Sequence, residues 1–306
     1  MLFALPWPSI SLARHVIGVV RSPADVALVG ASTIDHVSDC DQDRRNLAVM
    51  LGDTAGRNVL DLSDGGQPLW RSINLAALAG RYGHAKDVVL PIEFEGLDVP
   101  SVPPYRELLL YKLFNVGFSV FRSESVESFW TGISGQPQMH DRGFTFEGVT
   151  YPDYRGISAK WFAREMRAWV CPEQTTVDPA FVRAYYWWLY IAQQTNFHLL
   201  DMVGELSAYL VSHQRQLHVV ILPTNFELIG QLDASWVAAL RSRQDAIAQR
   251  LRDQNVDVLN LSESLDSDDF STRWCACTHF TETGRKKVVA AISEMLVRSQ
   301  RIAARR

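Results

Sequence analysis

The chain has 306 residues, 47% of them hydrophobic, with a formal net charge of −4 and an isoelectric point of about 6.1. That length buries a full core, in one large domain or two small ones, and a charge so near neutral argues against a nucleic-acid-binding surface. Four cysteines in so long a chain do not make a disulfide scaffold.

The elements in chain order point to alternating strands and helices. Residues 1–20 are the longest apolar candidate for a membrane span, but they hold two prolines, Arg14 and His15. They lack a basic leading region and a small-residue cleavage site, so neither a signal peptide nor an anchor is expected. The protein is expected to be cytoplasmic, or an extracytoplasmic domain whose export segment has been removed. The runs "DVALVG" (25–30) and "NVLDLSDGG" (58–66) are apolar and β-compatible. So are "DVVLPIEFEG" (87–96), "LHVVILPTNFE" (217–227) and "VDVLNLSE" (256–263). Between the first two lies a helical stretch ending in glycine, residues 43–56, and between the second and third lies another, 68–85. Residues 234–255 form a strongly amphipathic helix of about six turns at roughly 3.6 residues per turn. The last helix, 281–300, carries Val288, Ile292 and Leu296 inward, and Arg298, Arg301, Arg305 and Arg306 read as its solvated basic end.

Residues 97–216 break this rhythm. Pro100, Pro103 and Pro104 mark a loop at the start, and the aromatic stretch 185–211 reads as one long helix. Such an insertion packs over a sheet edge or forms a lid, and its Trp and Tyr cluster reads more readily as core than as a substrate platform. The fold class that follows is α/β: a three-layer sandwich with a mostly parallel central sheet of about five strands and an α-rich insertion.

Three stretches carry candidate chemistry. Ser32 stands just past the first strand, at the carboxyl end where open α/β sheets bind ligands. Either it or Thr33 caps a following helix, or Ser32 is a nucleophile whose neighbouring N–H groups face a developing oxyanion. It is not a Gly-x-Ser-x-Gly elbow, because Ile34 replaces the second glycine. "DLSDGGQPLW" (61–70) ends a strand and opens a helix, as a simple turn or as a turn whose Gly66 N–H approaches an oxyanion. His279 lies ahead of the last helix, as a surface or capping residue or as a base. Cys275, Cys277 and His279 have poor spacing for zinc and no evident fourth ligand. Buried thiols, or a disulfide with Cys171, fit them better.

The order of nucleophile, glycine and histidine resembles the SGNH (GDSL-like) hydrolase and acyltransferase superfamily. "LVGASTI" stands where that family has its Gly-Asp-Ser block, "LDLSDGG" matches the glycine block, and "CACTHFTETGRKKVV" matches the last block. The segments "VVLPIEFE" and "ILPTNFEL" are similar to the subset containing D-alanyl transfer proteins and polysaccharide O-acyltransferases. The resemblance implies an SGNH/flavodoxin-like fold, Ser32 as nucleophile, His279 as base and Gly66 in the oxyanion hole. It also implies a small-molecule or carbohydrate ester substrate and no cofactor or metal. It does not cover the insertion.

The sequence departs from that pattern at three places. Ala31 replaces the Asp before the nucleophile, and the block whose Asn completes the oxyanion hole is absent. Glu93 or Glu95 faces the site instead, which is unfavourable beside an oxyanion unless protonated or turned away. Asn225 is a substitute donor, or a turn residue. Ala276 replaces the Asp that fixes the histidine tautomer, a role left to a backbone carbonyl or to Asp268 or Asp269. The expected function is a serine esterase or O-acyltransferase. The alternative is a catalytically silent domain that binds a carbohydrate or protein partner.

Overall fold

The computed structural model describes residues 7–38, 41–93, 144–151, 179–192, 195, 197–271 and 279–303. The strands are β1 (Val26–Gly30), β2 (Val59–Ser63) and β3 (Asp87–Ile92), then an antiparallel hairpin of β4 (Phe144–Phe146) and β5 (Val149–Tyr151), then β6 (Gln216–Ile221) and β7 (Asp257–Asn260). The helices are α1 (Trp7–Arg21), α2 (Ser32–Asp35), α3 (Leu47–Ala55), α4 (Leu69–Tyr82), α5 (Pro179–Tyr186), α6 (Phe197–Ser212), α7 (Phe226–Leu232), α8 (Ala234–Asp253) and α9 (Glu282–Ala303).

Five strands make one sheet in the order β2-β1-β3-β6-β7, all parallel. This is a doubly wound order, and its direction of travel reverses between β1 and β3. The pleat sends alternate side chains to opposite faces. On β1, Ala27 and Val29 enter one core, while Val26 and Leu28 enter the other. Side chains of α1, α4, α6 and α8 fill the first core, and those of α3 and α9 fill the second. The result is a three-layer α/β fold. Helix α4 lies deepest. Every residue from Leu69 to Gly80 is buried, because α1 and α6 pack on the side of α4 turned from the sheet.

Local signals set the boundaries. Asn46 caps α3 by accepting the Val49 N–H at 3.0 Å, and Gly56 closes it in the left-handed region. Asp233 caps α8 through Ser235 N–H at 3.0 Å. β1 ends with its run at Gly30, while the other four strands of the sheet stop three to six residues short of theirs, because the extra residues belong to the turns that follow. Residues 226–227, expected in a strand, open α7 instead. The expected helix over 185–211 is broken. A π-helical turn over Trp187–Ala192 ends its first part, and α6 begins at Phe197. The insertion also contains the β4–β5 hairpin. Its two loop residues, Glu147 and Gly148, both have positive φ, as a type I′ turn requires. Phe146 packs against Trp187 and Trp236 at centroid distances of 5.0 and 6.4 Å. Arg183 lies over the Phe146 ring and pairs with Glu147 and Asp233, which joins the hairpin to the start of α8. The loop expected at Pro100, Pro103 and Pro104 and the pairing expected of Cys171 lie outside the described residues.

At the amino ends of the strands, opposite the end where Ser32 lies, His218 is fully buried between two carboxylates. Nδ1 is 2.7 Å from Asp257 and Nε2 is 3.0 Å from Asp87, which also pairs with Arg57 at 2.6 Å. Carboxylates only accept, so both ring nitrogens donate and the ring is an imidazolium. Burial opposes that charge, but hydrogen bonds to Asp257 and Asp87 outweigh it and raise the His218 pKa. Burial likewise opposes the Asp87 charge, but His218 and Arg57 hold its pKa below the ordinary value. The His218 contribution is therefore full below the unfolded-state pKa of about 6.5 and fades as pH rises through the raised folded value. The Asp87 contribution is full above about 3.9 and fades as pH falls through its lowered value. His218→Gln is expected to cost roughly 2–3 kcal/mol at pH 5, less than a fully buried pair because Asp257 is half exposed. The cost should shrink toward pH 9. Urea melts of both proteins at pH 5, 7 and 9 check this, and a pH-independent difference would contradict it.

Candidate active site

The ladder between β1 and β3 stops at Leu28↔Val89, whereas β1–β2 pairing runs to Gly30↔Ser63 and β3–β6 pairing to Ile92↔Ile221. The carboxyl ends of β1 and β3 therefore part, at the position where doubly wound sheets open a crevice. Ser32 follows β1 there, and Glu93 follows β3.

Ser32 opens the four-residue turn α2. Ala31, not a hydroxyl side chain, holds the cap position, and no side chain caps the turn. The Ser32 hydroxyl meets the ring of His279, with Oγ and Nε2 3.1 Å apart. His279 is held from both sides in the chain. Its carbonyl accepts the Ser271 N–H at 2.9 Å, Thr281 N–H reaches the Asp269 carbonyl at 2.8 Å, and Phe270 and Phe280 form an antiparallel bridge. These bonds anchor the chain on either side of residues 272–278, which lie outside the described residues along with Ala276, Cys275 and Cys277.

The His279 ring is buried and lies 4.4 Å from the ring of His36. Burial first, then repulsion from His36, lowers its pKa to about 3. It is a neutral imidazole near pH 7, able to take a proton at Nε2. Asp269 is engaged elsewhere, by Lys287 Nζ at 2.7 Å and Asp266 N–H at 3.0 Å.

The other expected site residues occupy distinct positions. Gly66 is the third residue of a turn closed by Gln67 N–H to the Asp64 carbonyl at 3.1 Å, and its φ of 69° is the one a type II turn demands. Asp64 N–H bonds the Gly30 carbonyl at 3.2 Å, which brings this turn beside the end of β1. Glu93 accepts a hydrogen bond from the hydroxyl of Thr33, the neighbour of Ser32. Burial pushes the Glu93 carboxyl up, against the opposing effect of the Thr33 hydroxyl and N–H. Asn225 caps α7, with Oδ1 accepting Leu228 N–H at 3.0 Å and Nδ2 donating to Ser267 at 3.2 Å. Glu95 lies outside the described residues. Among the described residues no group of His, Cys, Asp and Glu has a metal-binding arrangement, and no helix is long and apolar enough to cross a membrane.

Sequence reasoning missed His36 and the residues around Arg285, and weighed Thr33 only as a helix cap, whereas its hydroxyl bonds Glu93. Arg285 sits at helical spacing from Val288, Val289 and Ile292, which places it on the buried stripe of α9. That spacing was a legible signal.

No protein-family model matches the chain, and no curated protein matches it. Among solved structures, the chain is similar to a lipase/acylhydrolase from Enterococcus faecalis, at 9% identity and a TM-score of 0.40 over 88% of this chain and 93% of that one. It is also similar to an alpha/beta hydrolase enzyme from the metagenome of Lake Arreo, at 10% identity and a TM-score of 0.38, covering 89% and 94%. An acetyl-xylooligosaccharide esterase from Geobacillus matches at 8% identity and a TM-score of 0.38, covering 90% and 95%. These overlays are too loose to carry a residue role across, so the reading of the site rests on its own geometry.

Proposed function

We propose that the chain is a serine esterase or O-acyltransferase acting on a small or carbohydrate ester. The observation behind this reading is the 3.1 Å approach of Ser32 Oγ to the Nε2 of a neutral, buried histidine at the β1/β3 crevice. Ser32 attacks the acyl carbonyl while His279 Nε2 takes its proton. The backbone N–H groups of Ser32 and Gly66 face the oxyanion, and burial, which raises the Glu93 pKa, opposes a negative charge there. His279 then returns its proton to the leaving oxygen. Water or an acceptor hydroxyl, activated by the same ring, releases the acyl group.

Ser32→Ala is expected to lower turnover of a short p-nitrophenyl ester about 10³-fold or more, with melting temperature nearly unchanged. A serine-directed fluorophosphonate should label the native chain at Ser32 and leave the variant unlabelled. Equal ester turnover by the purified variant would remove Ser32 from the reaction.

A second reading has one observation in its favour. The low basicity of His279 suits a silent site that binds a carbohydrate or protein partner in the same crevice. A folded native chain that binds an ester analogue yet takes no fluorophosphonate would select that reading.

A further inference from the structure

Arg285 has no solvent exposure, although its neighbours Lys286 and Lys287 reach solvent. Its Nη1 reaches Asp41 Oδ2 at 2.5 Å and the Phe280 carbonyl at 3.3 Å, and its Nη2 reaches the Asp43 carbonyl at 2.8 Å. The contact is reciprocal. Asp41 Oδ1 accepts the Glu282 N–H at 3.1 Å, and Glu282 Oε2 accepts the Asp43 N–H at 2.9 Å. Two stretches of chain are thereby locked together, the one that follows Ser32 and the one that follows His279. His36, on the first stretch, rests its ring against His279.

We propose that Arg285 is a positioning residue for the Ser32–His279 pair, clamping the segment after the serine against the segment that carries the histidine. This rests on the esterase reading above. Stability alone is a weak account of such a pair, because a buried ion pair roughly breaks even against well-packed apolar side chains. What a guanidinium adds is direction. Its planar fork meets a carboxylate and two carbonyls at fixed angles, which an ammonium cannot reproduce. A displacement of about 1 Å between reacting groups costs about 10²-fold in rate. The clamp therefore acts on kcat, not on substrate affinity.

The test compares the native chain with Arg285→Lys, Arg285→Met and Asp41→Asn. Turnover of p-nitrophenyl acetate is measured per folded molecule, and the His279 ring is titrated by NMR. The Met variant fills the space without charge, and Asp41→Asn keeps the shape, so at least one folded form is available if Lys is not tolerated. The expected result is a kcat lower by about ten- to a hundredfold, KM within about twofold, and a His279 titration moved up from about 3 toward the ordinary histidine value. Unchanged kcat per folded molecule overturns the proposal, and so does a loss wholly accounted for by unfolded protein. If the native chain does not turn over ester or react with a fluorophosphonate, the esterase reading fails and the NMR titration alone decides. A moved His279 titration then sustains the clamp, and an unmoved one overturns it.

Discussion

Gly284→Ala should destabilise the protein by about 3 kcal/mol or more and displace His279. In a solvent-facing helix the same change gains about 1 kcal/mol, because alanine is the better helix former. Here the sign reverses. A Cβ at position 284 would lie 2.3 Å from the Asp269 carbonyl oxygen and 3.1 Å from Phe280 Cβ. The nearer obstacle is backbone, and that carbonyl already accepts the Thr281 N–H. It cannot retreat without breaking the pairing that brackets His279, so the ordinary overpacking cost of about 1–3 kcal/mol is a lower bound. Thermal melts and the rate of fluorophosphonate labelling measure the two effects separately. A variant that melts and labels like the native chain would mean that the segment around His279 tolerates displacement.

Ala276→Asp is expected to raise the plateau rate of ester cleavage by about tenfold, well below the roughly 10⁴ lost when a serine protease is deprived of its aspartate. Burial and the neighbouring His36 disfavour the imidazolium at His279. The ring is thus always ready to accept a proton but is a weak base. If position 276 serves as the SGNH resemblance implies, a carboxylate there would stabilise the charged form and raise its pKa. Only the neutral ring acts as base, so activity falls as pH drops through that pKa. The acid limb of the native profile is expected near pH 3 and should move upward in the variant. A pH–rate profile of each protein, with folding checked by melt, provides the measurement. An unchanged plateau and limb would mean that His279 is already oriented by another group or is not the base. A silent native chain that gains acylation in the variant would support the partner-binding reading.

The sheet was legible in the sequence because a parallel strand covered on both faces must be apolar at every position. Val26 to Val29 and Val88 to Leu90 could hardly be anything else once glycines and polar turns bounded them. What periodicity could not supply was the end of each strand, since apolar residues continue into the turns. The aromatic stretch 185–211 misled for a physical reason. Its apolar content is helical, but the sequence carries a polar run, Gln193 to Asn196, just before Phe197, where α6 begins, and such a run reads as a helix boundary. Helix α1 was not assigned although Leu12, Val16 and Val19 recur at helical spacing, because residues 1–20 were weighed only as a membrane span or export segment. Ser32, Gly66 and His279 were singled out by block order, and the structure brings Ser32 and His279 within 3.1 Å. The His36 contact, the Thr33–Glu93 bond and the Arg285–Asp41 pair join residues from 60 to 244 positions apart, and no local pattern reports such a distance.

The encasement of α4 bears on how the molecule comes apart. With the sheet on one side and α1 and α6 on the other, its amides have no route to water that leaves its neighbours in place. Hydrogen exchange along Ile73 to Leu78 is thus tied to the opening of the whole cooperative unit.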